Sequence, residues 1–172
     1  EGKQEAPPHN KGRAQRPPTQ EDGRMLTLDH VGYLVRNVDE KKCLMEDLLG
    51  LRFTQRLIRE QPENTNRLDF YECERGAIEL VESSNPASSY NRFIDERGEG
   101  LHHIAFRVDD LQATMAEWEA KGVRFTLKPP LGASGSRRAI ITFTDPVTTG
   151  GLVIELVQAL KEGDENPDWV QL

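Results

Sequence analysis

The chain of 172 residues has few cysteines and no long apolar run, and each shortage excludes a class of protein. Two cysteines, Cys43 and Cys73, are too few for a disulfide framework and lack the spacing of a zinc site. No apolar stretch reaches the roughly 20 residues that cross a bilayer, and no secretory signal peptide is visible. We therefore expect a cytoplasmic protein with no membrane partner, in which both cysteines are buried thiols.

Residues 1–24 contain no Ile, Leu, Val, Phe, Tyr, Trp or Met, whereas they contain four prolines and charges of both signs. Such a segment cannot bury enough apolar surface to offset the entropy lost on ordering. We predict a disordered N-terminal tail or an upstream leader there, then one domain over residues 25–160 and an acidic C-terminal tail over 161–172. The net charge of −7 argues against nucleic acid as a partner.

The domain contains an internal repeat, since residues 29–35 (DHVGYLV) are similar to residues 102–108 (HHIAFRV). Both stretches alternate as strands do, and each precedes an N-cap candidate, Asn37 or Asp110. Helices are predicted over about 38–49 and 111–121. Each one ends at a glycine, Gly50 or Gly122, which suits the left-handed position that terminates a helix. The two halves of the domain therefore begin alike.

The halves also close alike, because three further strands follow each predicted helix. The starts of the first of these are Leu51-Arg52-Phe53 and Val123-Arg124-Phe125, and the last contain Glu79 or Glu155. The pattern predicts an α+β fold of two tandem βαβββ modules, over about 26–82 and 101–159, forming a curled mixed sheet. A linker over 83–100 would carry a short helix near residues 90–95.

Each module places one histidine on its first strand and one glutamate on its last strand. His30 precedes Glu79 by 49 residues, and His103 precedes Glu155 by 52. Each glutamate lies between apolar neighbours and so faces the opposite side of its strand. If an approximate twofold relates the modules, the four side chains converge in one cleft, where two imidazoles and two carboxylates suit a divalent metal. His102 faces away from His103 on its strand and is not chosen as a ligand.

Two stretches, residues 98–106 (GEGLHHIAF) and 148–158 (TTGGLVIELVQ), carry a resemblance to the vicinal oxygen chelate superfamily of glyoxalases, bleomycin-resistance proteins and dioxygenases. Within it the chain resembles methylmalonyl-CoA epimerases over about residues 26–159. The resemblance implies that His30, Glu79, His103 and Glu155 hold one metal ion, with Co²⁺ the first choice and Zn²⁺, Ni²⁺, Mn²⁺ or Fe²⁺ the others.

The resemblance also implies epimerisation of a 2-carboxyacyl-CoA thioester through a metal-stabilised enolate. This reaction needs an acid/base group on each face of the enolate. One is Glu155. The other is Glu63 by a gap-free count back from Glu79, with Glu60 as the rival if the loop carries an insertion.

A basic loop follows the second predicted helix, and Lys128, Arg137 and Arg138 are predicted to contact the phosphates of an acyl-CoA substrate. The same arginines also suit an ordinary solvent loop. A homodimer is expected because it is the commonest oligomer. Three other functions stay open: a glyoxalase-type isomerase, an extradiol-type dioxygenase and a drug-binding protein without catalysis.

Overall fold

The computed structural model describes residues 26–132 and 138–171 of the chain. Eight strands form one mixed sheet, with a short helix between the halves and another in the second half. The strands are β1 Thr27–Leu34, β2 Arg52–Gln61, β3 Asn64–Cys73, β4 Gly76–Ser83, β5 Gly100–Arg107, β6 Leu131–Gly132, β7 Ala139–Phe143 and β8 Ile154–Ala159. The helices are α1 Ser89–Arg97 and α2 Leu111–Ala120.

The sheet order is β2-β3-β4-β1-β5-β8-β7-β6. The four strands of the second half follow in mirrored order, so that equivalent strands of the two halves lie at equal distances from the centre of the sheet. The first strand of each half is parallel to the last strand of the same half. The two halves join through the antiparallel pair of β1 and β5. The predicted α+β fold of two βαβββ modules in a curled mixed sheet is therefore confirmed.

Apolar side chains pack against both faces of the sheet. On the outer face, Leu111 and Met115 of α2 pack against Ile140 and Leu156. The inner face, hereafter the cup, is the concave side that carries Glu79 and Glu155. Alternation along each strand assigns neighbouring residues to opposite faces, so an apolar outer position adjoins a polar cup position.

The second predicted helix is confirmed as α2, and its N-cap is Asp110, whose carboxylate accepts a hydrogen bond from the Ala113 N–H at 2.9 Å. The first predicted helix is not a regular α-helix. It consists of a 3₁₀ turn over Asp39–Lys41 and a π turn over Leu44–Leu48, closed by Gly50 at φ +65°. A bond from the Leu49 N–H to the Leu44 carbonyl, at 3.1 Å, widens this last turn.

Three sequence predictions need correction. A strand starting at residues 123–125 is wrong, because this stretch makes only an isolated bridge between Phe125 and Thr144. Pro129 and Pro130 follow and lack the N–H groups that would continue a ladder. The cysteine prediction is also wrong, since Cys43 is exposed and Cys73 half-buried.

The position of Cys43 follows from the helical periodicity. It lies two residues, or about 200° of helical rotation, before Met45, which is the residue that faces the sheet. The third correction concerns the acidic C-terminal segment. Trp169 and Val170 pack against the outer core, and Gln171 forms a parallel bridge with Leu131. Residues 1–24 lie outside the described part of the chain.

Among the described residues, no helix is both long and apolar enough to cross a membrane.

Candidate metal centre

Four buried side chains meet at the centre of the cup, one from each of the four middle strands. His30 lies on β1, Glu79 on β4, His103 on β5 and Glu155 on β8. Gly32 of β1 pairs with both Glu79 and His103, so the strand register alone places these side chains in adjacent columns. The structure thus brings together the four residues that the internal repeat indicated.

The donor atoms of this cluster have the spacing of metal ligands. Nε2 of His30 lies 3.2 Å from Nε2 of His103, 3.3 Å from Oε2 of Glu79 and 3.0 Å from Oε2 of Glu155. Nε2 of His103 lies 3.4 Å and 3.0 Å from the same two oxygens. Metal bonds of about 2.0–2.2 Å place neighbouring donors about 3.0–3.5 Å apart. The residues therefore fit a divalent ion, although the spacing does not select one metal.

Charge within the cluster is balanced by proton sharing. Burial alone lowers the pKa of His30 and His103, but hydrogen bonds to Glu155 and Glu79 outweigh it and raise the two pKa values to about 10 and about 9. Burial raises the pKa of Glu79 and Glu155, but hydrogen bonds from His103 and His30 bring both below their usual range. A divalent cation that replaces the two imidazole protons leaves the net charge unchanged.

His30 is oriented by a buried carboxylate. Its Nδ1 donates to Oδ1 of Asp29 at 2.8 Å, and the other oxygen of Asp29 accepts bonds of 2.8 Å and 2.7 Å from Arg107. A protonated Nδ1 leaves the Nε2 lone pair directed at the cluster, as in carboxylate–histidine–metal arrangements. Asp29 and Arg107 therefore fix the tautomer of the first imidazole.

His103 is oriented by its neighbour, because the two Nδ1 atoms of His102 and His103 lie 3.0 Å apart. Burial, followed by the charge of His103, lowers the pKa of His102 to about 4. The His102 ring is therefore neutral, and its Nδ1 can accept a hydrogen bond from the Nδ1–H of His103. Tyr90 and Phe93 of α1 hold the His102 ring edge-on, at centroid distances of 5.4 Å and 5.2 Å. The prediction that His102 faces away from His103 is wrong, because a bulge at residue 102 interrupts the alternation and both rings line the same cleft.

The His103 ring occupies space that a side chain at Gly32 would fill. A Cβ built on Gly32 would lie 1.9 Å from Cε1 of His103. The backbone of Gly32 is not in the left-handed region, so close approach is the reason that this position requires glycine. The absence of a side chain at Gly32 of the first module therefore leaves the space in which the His103 ring of the second module lies.

The walls around the cluster are apolar. Phe70 of β3 and Phe143 of β7 contact His30 and His103 edge-on, at 5.7 Å and 5.2 Å between ring centroids. A cleft of about 1100 Å³ opens beside His103, between α1 and the connection from β7 to β8. Its lining includes Tyr90, Phe93, His102, Thr144, Gly151 and Leu152. A small molecule with an apolar portion can reach the cluster through this cleft.

The second predicted base does not lie near the cluster. Glu63 is exposed in the two-residue turn between β2 and β3. The side-chain carbonyl of Asn64, the next residue, accepts a hydrogen bond from the hydroxyl of Ser83, which is the last residue of β4. The residue of β3 that pairs with Glu79 is instead Phe70, seven positions further on, or about 23 Å along the strand. The gap-free count from Glu79 therefore ended in this turn, and the catalytic role of Glu63 stays a prediction.

The rival, Glu60, also fails to reach the cup. It alternates on β2 with Leu57 and Arg59 and is exposed on the outer face.

Two of the predicted substrate-binding cations, Lys128 and Arg138, do not line the cleft. Lys128 forms an ion pair of 2.5 Å with Glu119 of α2 on the outer face, and Arg138 donates at 2.5 Å to the carbonyl of Asp164. Arg137 lies outside the described residues. The cations that line the cleft are Arg92 and Arg97 of α1, which the sequence analysis did not single out.

Comparison with known proteins defines the class. The family model for the Glyoxalase/Bleomycin resistance protein/Dioxygenase superfamily matches residues 29–143, so the chain belongs to this superfamily. The resemblance stated from the motifs is therefore confirmed.

The chain is also similar to individual proteins, of which three follow. The uncharacterized protein YqjC of Bacillus subtilis is 31% identical over 144 residues, or 83% of this chain and 97% of the relative. A Mycobacterium tuberculosis methylmalonyl-CoA epimerase structure is similar at a TM-score of 0.68 and 29% identity, over 79% of this chain and 89% of that one. A Streptomyces coelicolor epimerase complexed with 2-nitronate-propionyl-CoA gives 0.70 and 26%, over 83% and 100%.

Proposed function

We propose that this protein is a metal-dependent isomerase that moves a proton at the carbon next to a thioester carbonyl, with methylmalonyl-CoA epimerisation as its reaction. The observation that carries the proposal is the buried cluster of two histidines and two glutamates, one member of which, His103, lines a cleft of about 1100 Å³. Epimerase relatives, one of them in complex with an acyl-CoA analogue, support the substrate class.

A divalent ion held by His30, Glu79, His103 and Glu155 would supply Lewis-acid stabilisation of the oxygen on which negative charge develops. The donor set is of mixed nitrogen and oxygen type, and Co²⁺ is the ion that we would test first. The chain's own contribution is to hold both imidazoles as the correct tautomers through Asp29 and His102.

The two carboxylates are the groups that carry protons in this proposal. Oε2 of Glu155 contacts both histidines, so Oε1 is the oxygen that can accept the proton of the substrate. Glu79 is its counterpart in the first module, on the strand equivalent to β8. Because an approximate twofold relates the modules, the two carboxylates approach a bound substrate from opposite sides. We therefore assign the second face to Glu79 in place of Glu63.

The apolar walls support this chemistry by excluding water. Phe70 and Phe143 flank the two imidazoles, so a charge that develops there is poorly screened and interacts strongly with the cluster.

A homodimer remains part of the proposal and is tested by sedimentation.

Exchange of the C2 proton of methylmalonyl-CoA in D₂O tests the proposal directly. Protein loaded with Co²⁺ should exchange this proton, as followed by NMR, and EDTA should abolish the exchange. Glu155→Gln and Glu79→Gln should each slow it by at least 100-fold, within the range that general acid–base groups contribute.

Glu63→Gln is the matched control, with an expected effect of less than twofold because its side chain is in an exposed turn. Loss of exchange in Glu63→Gln would restore the sequence-based assignment of the second base. A folded, metal-loaded protein that leaves the proton in place would end the epimerase proposal and direct the search to glutathione hemithioacetals.

A further inference from the structure

One hydroxyl in the wall of the cleft has no partner in the described part of the protein. Tyr90 lies in the first turn of α1 and lines the cleft with Phe93 and Arg97, which follow it by three and seven residues on the same face of the helix. The Tyr90 hydroxyl forms no hydrogen bond with a described residue. Neither of the two side-chain atoms that are buried without a partner there belongs to Tyr90, so its hydroxyl is accessible to a ligand of the cleft.

Packing accounts for the ring of Tyr90 and leaves its hydroxyl unexplained. The ring packs against the cup-side core of the first module, which contains Leu57 and Phe70, and it contacts His102 edge-on at 5.4 Å between ring centroids. Phe93 packs against the same core and contacts His102 at 5.2 Å without a hydroxyl. A phenylalanine would therefore serve at position 90 if packing were the only requirement.

The hydroxyl lies within the electrostatic influence of the cluster. Burial, and then the negative charges of Glu79 and Glu155, raise the pKa of Tyr90 above its usual range, while the positive charge of Arg59 acts in the opposite direction. The phenol therefore keeps its proton at neutral pH and acts as a hydrogen-bond donor.

Tyr90 is connected to the cluster through the two adjacent histidines of β5. It contacts the His102 ring, and Nδ1 of His102 lies 3.0 Å from Nδ1 of His103. His103 is the cluster member that lines the cleft, and Tyr90 lines the same cleft. A ligand that fills the cleft as far as His103 therefore contacts Tyr90 as well.

The cluster itself offers no free hydrogen-bond donor to such a ligand. Its carboxylates are acceptors, and the Nδ1 atoms of His30 and His103 are already paired with Asp29 and His102.

Two other hydroxyls of the cleft wall are also engaged. Those of Thr126 and Thr144 donate to the carbonyls of Phe143 and Leu152, at 3.2 Å and 3.5 Å. The phenol of Tyr90 is thus a donor held in reserve beside the cluster.

We propose that Tyr90 is a catalytic residue that donates a hydrogen bond to the thioester carbonyl oxygen as negative charge develops on it. This inference rests on the proposed function and adds a donor from the protein to the charge stabilisation at the cluster. When the C2–H bond breaks, its proton passes to the carboxylate of Glu155 and its electron pair forms the C1–C2 double bond, which moves the carbonyl π pair onto the oxygen. Tyr90 keeps its own proton throughout, and its bond strengthens as the charge grows.

Exchange of the C2 proton by Co²⁺-loaded Tyr90→Phe tests this role, because the substitution removes the hydroxyl and keeps the ring. We expect exchange to slow by about 10–100-fold, as loss of a donor to an oxyanion does. The affinity for Co²⁺ should change by less than about twofold, since the ring contact with His102 that supports the cluster is retained. Tyr33→Phe is the matched control from the outer-face core and should change neither quantity.

Binding of 2-nitronate-propionyl-CoA, the ligand of the Streptomyces coelicolor structure, gives a readout that needs no turnover. Its C2 atom is planar and conjugated with negatively charged oxygens, as in an enolate. Tyr90→Phe should weaken the binding of this compound by at least about tenfold and that of methylmalonyl-CoA by less than about threefold, because the bond is strongest to the charged species. Calorimetry with Co²⁺-loaded protein measures both affinities.

The outcomes separate this inference from the proposed function. If Tyr90→Phe loses affinity for the nitronate alone while the wild type exchanges no C2 proton, Tyr90 stands as a donor to the anionic ligand and the epimerase proposal fails. If the wild type exchanges the proton and Tyr90→Phe exchanges it at the same rate, the inference fails and the epimerase proposal stands. An equal loss of affinity for both ligands, or a loss of Co²⁺ affinity, would make the hydroxyl structural and overturn the inference. A wild type that does not bind the nitronate overturns both proposals.

Discussion

At the scale of single residues, Gly32 has the sharpest structural requirement in the site. In the sequence Gly32 is visible only as part of the repeated strand, because nothing in its local pattern shows that another strand will place an imidazole against it. The contact between Gly32 and His103 joins residues 71 positions apart and depends on the register of β1 and β5. The contact of His102 with His103 could not be predicted for the same reason, since it depends on a bulge in the pairing of β1 and β5.

Replacing Gly32 by alanine should displace the His103 ring, because the added Cβ would lie 1.9 Å from Cε1. We expect Gly32→Ala to lower the affinity for Co²⁺ by at least 100-fold while the circular dichroism spectrum stays that of the folded chain. Gly100→Ala is the control, since a Cβ at Gly100 meets nothing within 4 Å. Equal metal affinity in the wild type and both variants would show that Gly32 is not needed for the position of His103.

At the scale of elements, the repeat predicted most of the strands because paired strands leave a clear apolar and polar alternation. The ends of elements were predicted where a side chain or a glycine fixes them locally, as at Asp110 and Gly122. The errors lie where the length of a strand or a turn, which the apolar and polar alternation does not reveal, decides the structure. The second strand of the second module shrinks to Leu131–Gly132 after two prolines, and Pro62 and Glu63 form a two-residue turn between β2 and β3.

The assignment of Glu63 shows why a catalytic base is harder to predict than a metal ligand. His30, Glu79, His103 and Glu155 are each supported by an equivalent position in the other module, so two observations agree on each. Glu63 has no counterpart in the repeat, and its assignment depended on a count through a loop. The contact predicted for Lys128 depended likewise on its place in a loop, and in the structure Lys128 pairs with Glu119.

At the scale of the whole molecule, the cluster connects the two modules. His30 and Glu79 come from the first, and His103 and Glu155 come from the second, so an ion bound by all four would join both modules across the β1–β5 seam. Binding to the folded state alone stabilises a protein by mass action. Metal content therefore affects stability as well as chemistry.

The pH dependence of metal binding follows from the raised histidine pKa values. With pKa values of about 10 and about 9, His30 and His103 carry protons at pH 7 that an incoming ion must displace. Affinity for Co²⁺ should therefore rise steeply with pH until pH approaches those values, and about two protons should leave per ion at pH 7. Calorimetry in buffers of different ionisation enthalpy counts these protons. Release of none would contradict the charge exchange proposed for the cluster.

The central claim is that the four buried side chains hold one divalent ion, and a titration of metal-free protein with Co²⁺ tests it most directly. The visible absorption of Co²⁺ reports its coordination, and we expect saturation at one ion per chain. His103→Ala should remove this signal, while His102→Gln should keep the stoichiometry and weaken the affinity by about 10–100-fold, as loss of an orienting contact does. A titration that shows no ordered Co²⁺ spectrum, or the same spectrum in His103→Ala, would contradict the account.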